Sequence, residues 1–262
     1  MNFQIIDVHM HMGQEPTYTF MNYGLDNLLC SMDKLGIGYC INANLNGMRN
    51  LFERADTENR EIFKESKGRI LSYFCFTPNC AERALEIIRK NKDNRMYKGI
   101  KIHPSEVGID ADDDRWIPVW EVAREYHLPI MAHTWTRSAY HPSQNCAFAG
   151  KFERFVSAYP DVTFTFAHSG GRYEGVIEAA RITKDHKNCY VDIAGDINGL
   201  GVLDYLYETV GPDRIMYGSD NYMIEHRPMI GMVLANNKMT ISDKEKIFRY
   251  NAERVYFSEE RL

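Results

Sequence analysis

Five residues in this chain carry side chains suited to metal chemistry, and each closes an apolar run. His9 and His11 end the stretch Ile5-Ile6-Asp7-Val8-His9-Met10-His11. His133 ends Pro129-Ile130-Met131-Ala132-His133, and His168 opens His168-Ser169-Gly170-Gly171 after Phe166-Ala167. Asp220 ends Gly218-Ser219-Asp220. Side chains alternate faces along a strand, so His9 and His11 point the same way, with Asp7 on that face. An isolated His-x-His is more often an ordinary pair; three later runs ending in ligand-type residues change the odds. Three imidazoles and a carboxylate suit Zn²⁺ with one position left for water. Mn²⁺ accepts the same nitrogen and oxygen donors. Water held by such an ion loses its proton near neutral pH and can attack an electrophilic carbon. Asp220 could touch the metal, orient that water or take its proton, and a further histidine is available as acid or base.

Bringing these residues together requires strands whose ends meet. Short β-rich runs are expected at Phe3–Val8, Tyr39–Asn42, Ile70–Phe76, Tyr97–Ile102, Pro129–Ala132, Val162–Ala167, Tyr190–Ile193 and Arg214–Tyr217. They recur about every 30 residues, the size of a βαβ unit. Eight parallel strands alternating with helices predict one (β/α)8 barrel over residues 1–262, whose active site sits at the C-terminal strand ends. Helices are expected from Asp26 to Leu35, stopping at Gly36, and from Asn46 to Lys67. Asn79 is a candidate cap for the next helix, Asp112–Asp114 precede another, and Ser242-Asp243-Lys244-Glu245 reads as a capping box. Thr134–Asn145 lacks periodicity and forms a candidate specificity loop.

With 262 residues, 44% hydrophobic and 26% charged, the chain has the profile of a globular protein with a sizeable core. A net charge of -5 and no basic run argue against nucleic acid. Six scattered cysteines without Cys-x-x-Cys read as reduced thiols in the cytoplasm. No signal peptide is evident, and no apolar run approaches the roughly 20 residues that span a bilayer.

The opening Ile-Ile-Asp-Val-His-Met-His resembles the signature of the amidohydrolase superfamily. The whole chain resembles its amidohydrolase 2 branch, the aminocarboxymuconate semialdehyde decarboxylase-like metal-dependent hydrolases. Lys98-Gly99-Ile100-Lys101-Ile102-His103-Pro104 resembles the branch's fourth strand, and the segments ending in His133, His168-Ser169-Gly170-Gly171 and Gly218-Ser219-Asp220 resemble its fifth, sixth and eighth. Asn251-Ala252-Glu253-Arg254-Val255-Tyr256 resembles its closing helix. The resemblance implies a distorted (β/α)8 barrel with His9, His11, His133 and Asp220 as metal ligands. It makes Asp220 also a proton acceptor and His168 the catalytic acid/base, and it is compatible with a homodimer. Two departures stand out. Asn221-Tyr222-Met223 replaces the aromatic and proline that often follow the eighth strand. Lys101 sits where two-metal relatives carry a carboxylated lysine. One ion is expected, with a second through Lys101 the lesser alternative.

The expected reaction is hydrolysis of an amide, lactone or ester of a small molecule, with metal-activated water as nucleophile. The alternative is metal-dependent decarboxylation of an unsaturated or aromatic acid. A second alternative is a metal-binding barrel without catalysis. A substrate carboxylate could meet Arg137, Arg172 or Lys101, with Trp135, Tyr140 and Tyr173 as candidate pocket walls. Each has a plain structural alternative; for Lys101 it is pairing with Asp7 or Asp192.

Overall fold

Strand-forming residues in eight runs build a single parallel sheet. The computed structural model describes residues 4–13 and 24–257. The strands are β1 (Ile5–Met10), β2 (Ile37–Asn42), β3 (Ile70–Phe76), β4 (Tyr97–Ile102), β5 (Ile130–His133), β6 (Phe164–Ala167), β7 (Cys189–Asp192) and β8 (Ile215–Met216). Each pairs in parallel with its neighbour in chain order. Closure comes from the backbone beyond β8. Val8 N donates to Tyr217 O at 3.1 Å, and Asp220 N donates to His9 O at 2.8 Å. The ring is distorted at this seam: β8 has only two residues, and Tyr217 N bonds to Ile247 O instead of a strand.

Parallel pairing demands crossovers, and helices supply them. In chain order they are α1 (Leu25–Leu35), α2 (Leu45–Met48), α3 (Phe52–Glu65), α4 (Ala81–Asn91), α5 (Pro104–Val107), α6 (Ile117–Glu125), α7 (Glu153–Ala158), α8 (Glu174–Asp185), α9 (Val202–Val210), α10 (Arg227–Ala235), α11 (Ile241–Glu245) and α12 (Asn251–Tyr256). In α4, Ala84, Leu85 and Ile88 form the buried stripe, while Glu82 and the Arg89-Lys90 pair match the dipole at the two ends. Trp120 of α6 stacks on Phe155 of α7 and Phe164 of β6, with centroids 5.4 and 5.3 Å apart. That contact seats two helices against the strand that leads to His168. No helix among the described residues is long and apolar enough to cross a membrane.

Inside the ring, Ile6, Val8, Ile41, Tyr73, Met131, Ala167 and Met216 belong to one cluster drawn from six strands. Ala252, Val255 and Tyr256 of α12 join it and fill the barrel. Tyr73 donates to Val8 O at 2.8 Å, which satisfies a hydroxyl that burial would otherwise strand. The barrel interior is therefore packed, and the strand ends open at its C-terminal mouth.

Several expected boundaries move. The helix expected over Asn46–Lys67 breaks into α2 and α3, with Asn50 between them at φ 69. The capping box is Thr240 with Asp243, two residues earlier than expected. Pro78–Cys80 forms a 3-10 turn, so Asn79 lies ahead of α4 and does not cap it. Thr134–Asn145 runs without regular structure until a 3-10 turn at Pro142–Ala147. Phe3 lies outside the described residues.

Candidate metal centre

The five strand-end residues meet at the mouth of the barrel. His9 Nε2 lies 3.2 Å from His11 Nε2 and 3.6 Å from Asp220 Oδ1, and His11 Nε2 lies 3.1 Å from Asp220 Oδ1. His168 Nε2 lies 3.1 Å from His133 Nδ1. Potential ligand atoms of His9, His168 and Asp220 all fall within 4.8 Å of one another.

What each imidazole offers is set by its outer nitrogen. His11 Nδ1 faces the Ala43 carbonyl at 2.8 Å, and His168 Nδ1 faces the Ala194 carbonyl at 3.1 Å. A carbonyl only accepts, so both rings carry the proton on Nδ1 and a neutral ring has its lone pair on Nε2. His9 Nδ1 faces the Asp192 carboxylate at 3.0 Å, with the same consequence. His133 Nε2 faces Gln144 Oε1 at 2.9 Å, which turns its Nδ1 lone pair inward. Four inward nitrogens and one carboxylate oxygen thus turn acceptors into the mouth, with Lys101 Nζ a donor 2.8 Å from His9 Nε2. His9, His11 and Asp220 cannot all hydrogen-bond within their triangle. A proton on His11 relieves one edge; a divalent cation relieves all three. The donor set fits a metal ion, and the outer partners are the kind that orient metal-binding histidines.

Electrostatics agree with that assignment. Burial, with Lys101 next, pulls the His9 imidazole well below its usual range, keeping it neutral. Burial and then the charge of His168 do the same to His133. Burial pushes the Asp220 carboxyl up, but its hydrogen bond with His11 and the surrounding imidazoles of His168, His11 and His9 outweigh burial. The group stays well below the usual carboxylate range.

The backbone is strained where the chemistry sits. His168 and Asp220 have φ of 59° and 67°, a region costing other residues on the order of 1–3 kcal/mol. Both are held there by backbone amides: His168 N donates to Asp192 Oδ1 at 2.8 Å, and Asp220 N to His9 O. At Gly195 (φ 86) a Cβ would lie 2.6 Å from His168 Nδ1, so only glycine lets this loop pass.

Asp192, at the end of β7, is the residue that reading the sequence missed. It has no exposed surface, and it orients His9 through Oδ2 and receives His168 N and Ala194 N through Oδ1. Its signal was its place, a carboxylate at the end of the seventh run. Asp7, expected on the face of His9 and His11, is instead used up in tying the seam. A register shift between Asp7 and Met10 breaks the alternation. Asp7 accepts from His9 N, Ser219 N and Ser219 Oγ, with His226 Nε2 at 3.4 Å.

The mouth encloses a cavity of about 220 Å³. His11, His103, His133, His168 and Asp220 line its polar side; Leu45, Met48 and Met223 supply an apolar wall. Arg49, Glu106 and Gln144 complete the lining, with Arg49 Nε 3.4 Å from Glu106 Oε1. The wall at α2 is braced from behind. Glu58 of α3 accepts from Asn46 Nδ2 at 2.8 and 3.0 Å and from Asn44 Nδ2 at 3.1 Å.

The expected substrate contacts fall elsewhere. Arg137 pairs with Glu174 and lies over the Phe148 ring; Arg172 pairs with Asp196. Neither lines the cavity, and Tyr140 is 93% exposed. Tyr173 is exposed too and lines a separate surface groove. Trp135 packs against His133 and His168, centroids 6.1 and 5.6 Å away, outside the lining. Lys101 is buried, with Nζ 2.8 Å from His9 Nε2, in place of the expected approach to a substrate anion from the cavity. Burial brings its ammonium down to about 8, against the opposing pull of Asp192 and Asp220.

A family model described as amidohydrolase matches residues 6–257. Among solved structures, 5-carboxyvanillate decarboxylase from Sphingomonas paucimobilis is 14% identical, with a TM-score of 0.75 over 97% of this chain and 99% of that one. 2,6-Dihydroxybenzoate decarboxylase from Rhizobium is 16% identical, with a TM-score of 0.73 over 97% and 98%. A dihydroxybenzoic acid decarboxylase from Polaromonas, with bound manganese and the inhibitor 2-nitroresorcinol, is 16% identical, with a TM-score of 0.76 over 100% and 99%. Comparison with curated proteins returned no match.

Proposed function

The chain belongs to the amidohydrolase family, and on that footing we propose that it is a metal-dependent decarboxylase of a small aromatic or unsaturated carboxylic acid. The observation that carries the metal is the meeting of His9, His11 and His168 with the Asp220 carboxylate, with His133 Nδ1 3.1 Å from His168 Nε2. The reaction class rests on likeness, over nearly the full length of both chains, to structures described as aromatic-acid decarboxylases. Hydrolysis of an amide, lactone or ester draws on the same residues and is the second reading.

His9, His11, His133 and Asp220 are the proposed ligands of one divalent ion, Mn²⁺ or Zn²⁺. When bound, the ion supplies Lewis-acid stabilisation of negative charge on the acid's oxygens. The 220 Å³ cavity suits a small, flat molecule, with Leu45, Met48 and Met223 against its apolar face. Arg49 at the rim offers a guanidinium to a carboxylate. His168 carries the proton. Its Nδ1–H is already committed to the Ala194 carbonyl, so Nε2 is the nitrogen that takes up and delivers it. That proton passes to the carbon bearing the carboxylate. The bond to the carboxyl carbon then breaks, CO2 leaves, and the bonding pair returns to the ring or double bond.

The test is product analysis on enzyme stripped with chelator and reloaded with Mn²⁺ or Zn²⁺. Hydroxybenzoates and unsaturated acids should release CO2, and lactones and esters should release no acid. Acid release from the lactones without CO2 from any carboxylic acid restores the hydrolase reading.

A further inference from the structure

Four of the five imidazoles lining or bordering the cavity turn a lone pair inward; the fifth is set the other way. His103 follows β4 and caps α5, where its Nδ1 accepts the backbone N–H of Glu106 at 3.2 Å. A backbone amide can only donate, so Nδ1 holds a lone pair there and the ring proton is on Nε2. The two ring nitrogens face nearly opposite directions. With Nδ1 turned to α5, Nε2–H faces away from it, on a ring that lines the cavity with His11, His133, His168 and Asp220. Among the described residues Nε2 has no hydrogen-bond partner. The ring is also held flat: it stacks on His133 with centroids 3.9 Å apart and planes 7° apart.

We propose that His103 is a specificity-determining residue that donates Nε2–H to an oxygen of a bound carboxylate or phenolate, and that it is not a metal ligand. The choice of an aromatic oxyanion rests on the decarboxylase reading; the tautomer and its donor role do not. The surroundings explain why a donor is needed here. The neighbouring imidazoles present acceptors to the cavity, so an anion without the metal would meet mostly repulsion on that side. A hydrogen bond to a charged acceptor gives His103 a tenfold to hundredfold hold on such a ligand, roughly.

Salicylate serves as the probe, titrated by calorimetry into Zn²⁺-loaded protein. His103→Phe keeps a flat ring on His133 and removes the donor. His103→Gln places an amide N–H near the position of Nε2–H. His103→Phe should bind salicylate roughly tenfold to a hundredfold more weakly at unchanged zinc content, with His103→Gln close to wild type. Equal binding by wild type and His103→Phe overturns the proposal, as does loss of zinc from either variant or absence of salicylate binding to wild type. If His103→Phe fails to fold, ¹⁵N shifts of the His103 ring decide. The Nε2–H tautomer is expected, and an Nδ1–H tautomer overturns the assignment. Failure of the decarboxylase reading shows separately, as absence of CO2 release while salicylate binding still depends on His103.

Discussion

His9 and Asp192 form the buried joint on which the metal centre turns: Nδ1 of the imidazole sits 3.0 Å from the Asp192 carboxylate, and neither side chain is exposed. The same carboxylate receives the backbone N–H groups of His168 and Ala194, so one residue of β7 orients a proposed ligand and the proposed proton carrier together. Asp192→Asn weakens the acceptor for His9 and loosens the loop carrying His168. Metal affinity should fall roughly tenfold to a hundredfold, measured by competition with a chelator. Unchanged affinity would mean that His9 is oriented by something else.

His9 and His11 are expected to act as a unit. The double variant His9→Ala/His11→Ala should purify without metal and take up neither Mn²⁺ nor Zn²⁺ on reloading. Elemental analysis is the readout, and full occupancy in the double variant would overturn the ligand assignment.

Asp220 reaches both imidazoles and stays ionised against burial. Asp220→Asn keeps its shape while removing the charge. Turnover should drop on the order of a hundredfold to ten-thousandfold, with circular dichroism unchanged. Turnover close to wild type would remove Asp220 from the chemistry.

Arginine position separates substrate binding from surface pairing. Arg137 and Arg172 sit in exposed ion pairs away from the cavity, so Arg137→Ala and Arg172→Ala should each stay within about 0.5 kcal/mol of wild-type stability, with KM unchanged. Arg49→Ala should raise KM for a carboxylate substrate roughly tenfold or more. The reverse pattern in steady-state kinetics would put the substrate outside the cavity.

These predictions mark where sequence was readable. The strands were legible because parallel barrel strands are continuous apolar runs, and the proposed ligand positions because four of those runs lead into His or Asp at the mouth. Asp192 obeyed the same rule and was overlooked because β7 looked like an ordinary strand. Arg49, Glu106 and Gln144 were not legible. Arg49 follows α2, Glu106 lies in α5 and Gln144 in the 3-10 turn at Pro142–Ala147, and their proximity exists only once β2 to β5 have paired in order. Arg49 was further hidden by helical periodicity that continued through the break at Asn50. Closeness in sequence to a strand end does not say which way a loop side chain turns, and Arg137 and Arg172 turn to Glu174 and Asp196. Lys101 was read as a contact to a substrate anion, a lysine for a second metal or a partner of Asp7 or Asp192; its Nζ lies 2.8 Å from His9 Nε2.

The central claim is that this mouth removes a carboxyl group and replaces it with a proton. It is tested most directly with ¹³C-carboxyl-labelled 2,6-dihydroxybenzoate and related acids, incubated with Mn²⁺-loaded enzyme in D2O. For at least one acid, labelled CO2 should appear together with one deuteron at the vacated carbon, and His168→Gln should suppress both. Retention of the label in every acid, with turnover of lactones or esters by the same preparation, would contradict the account.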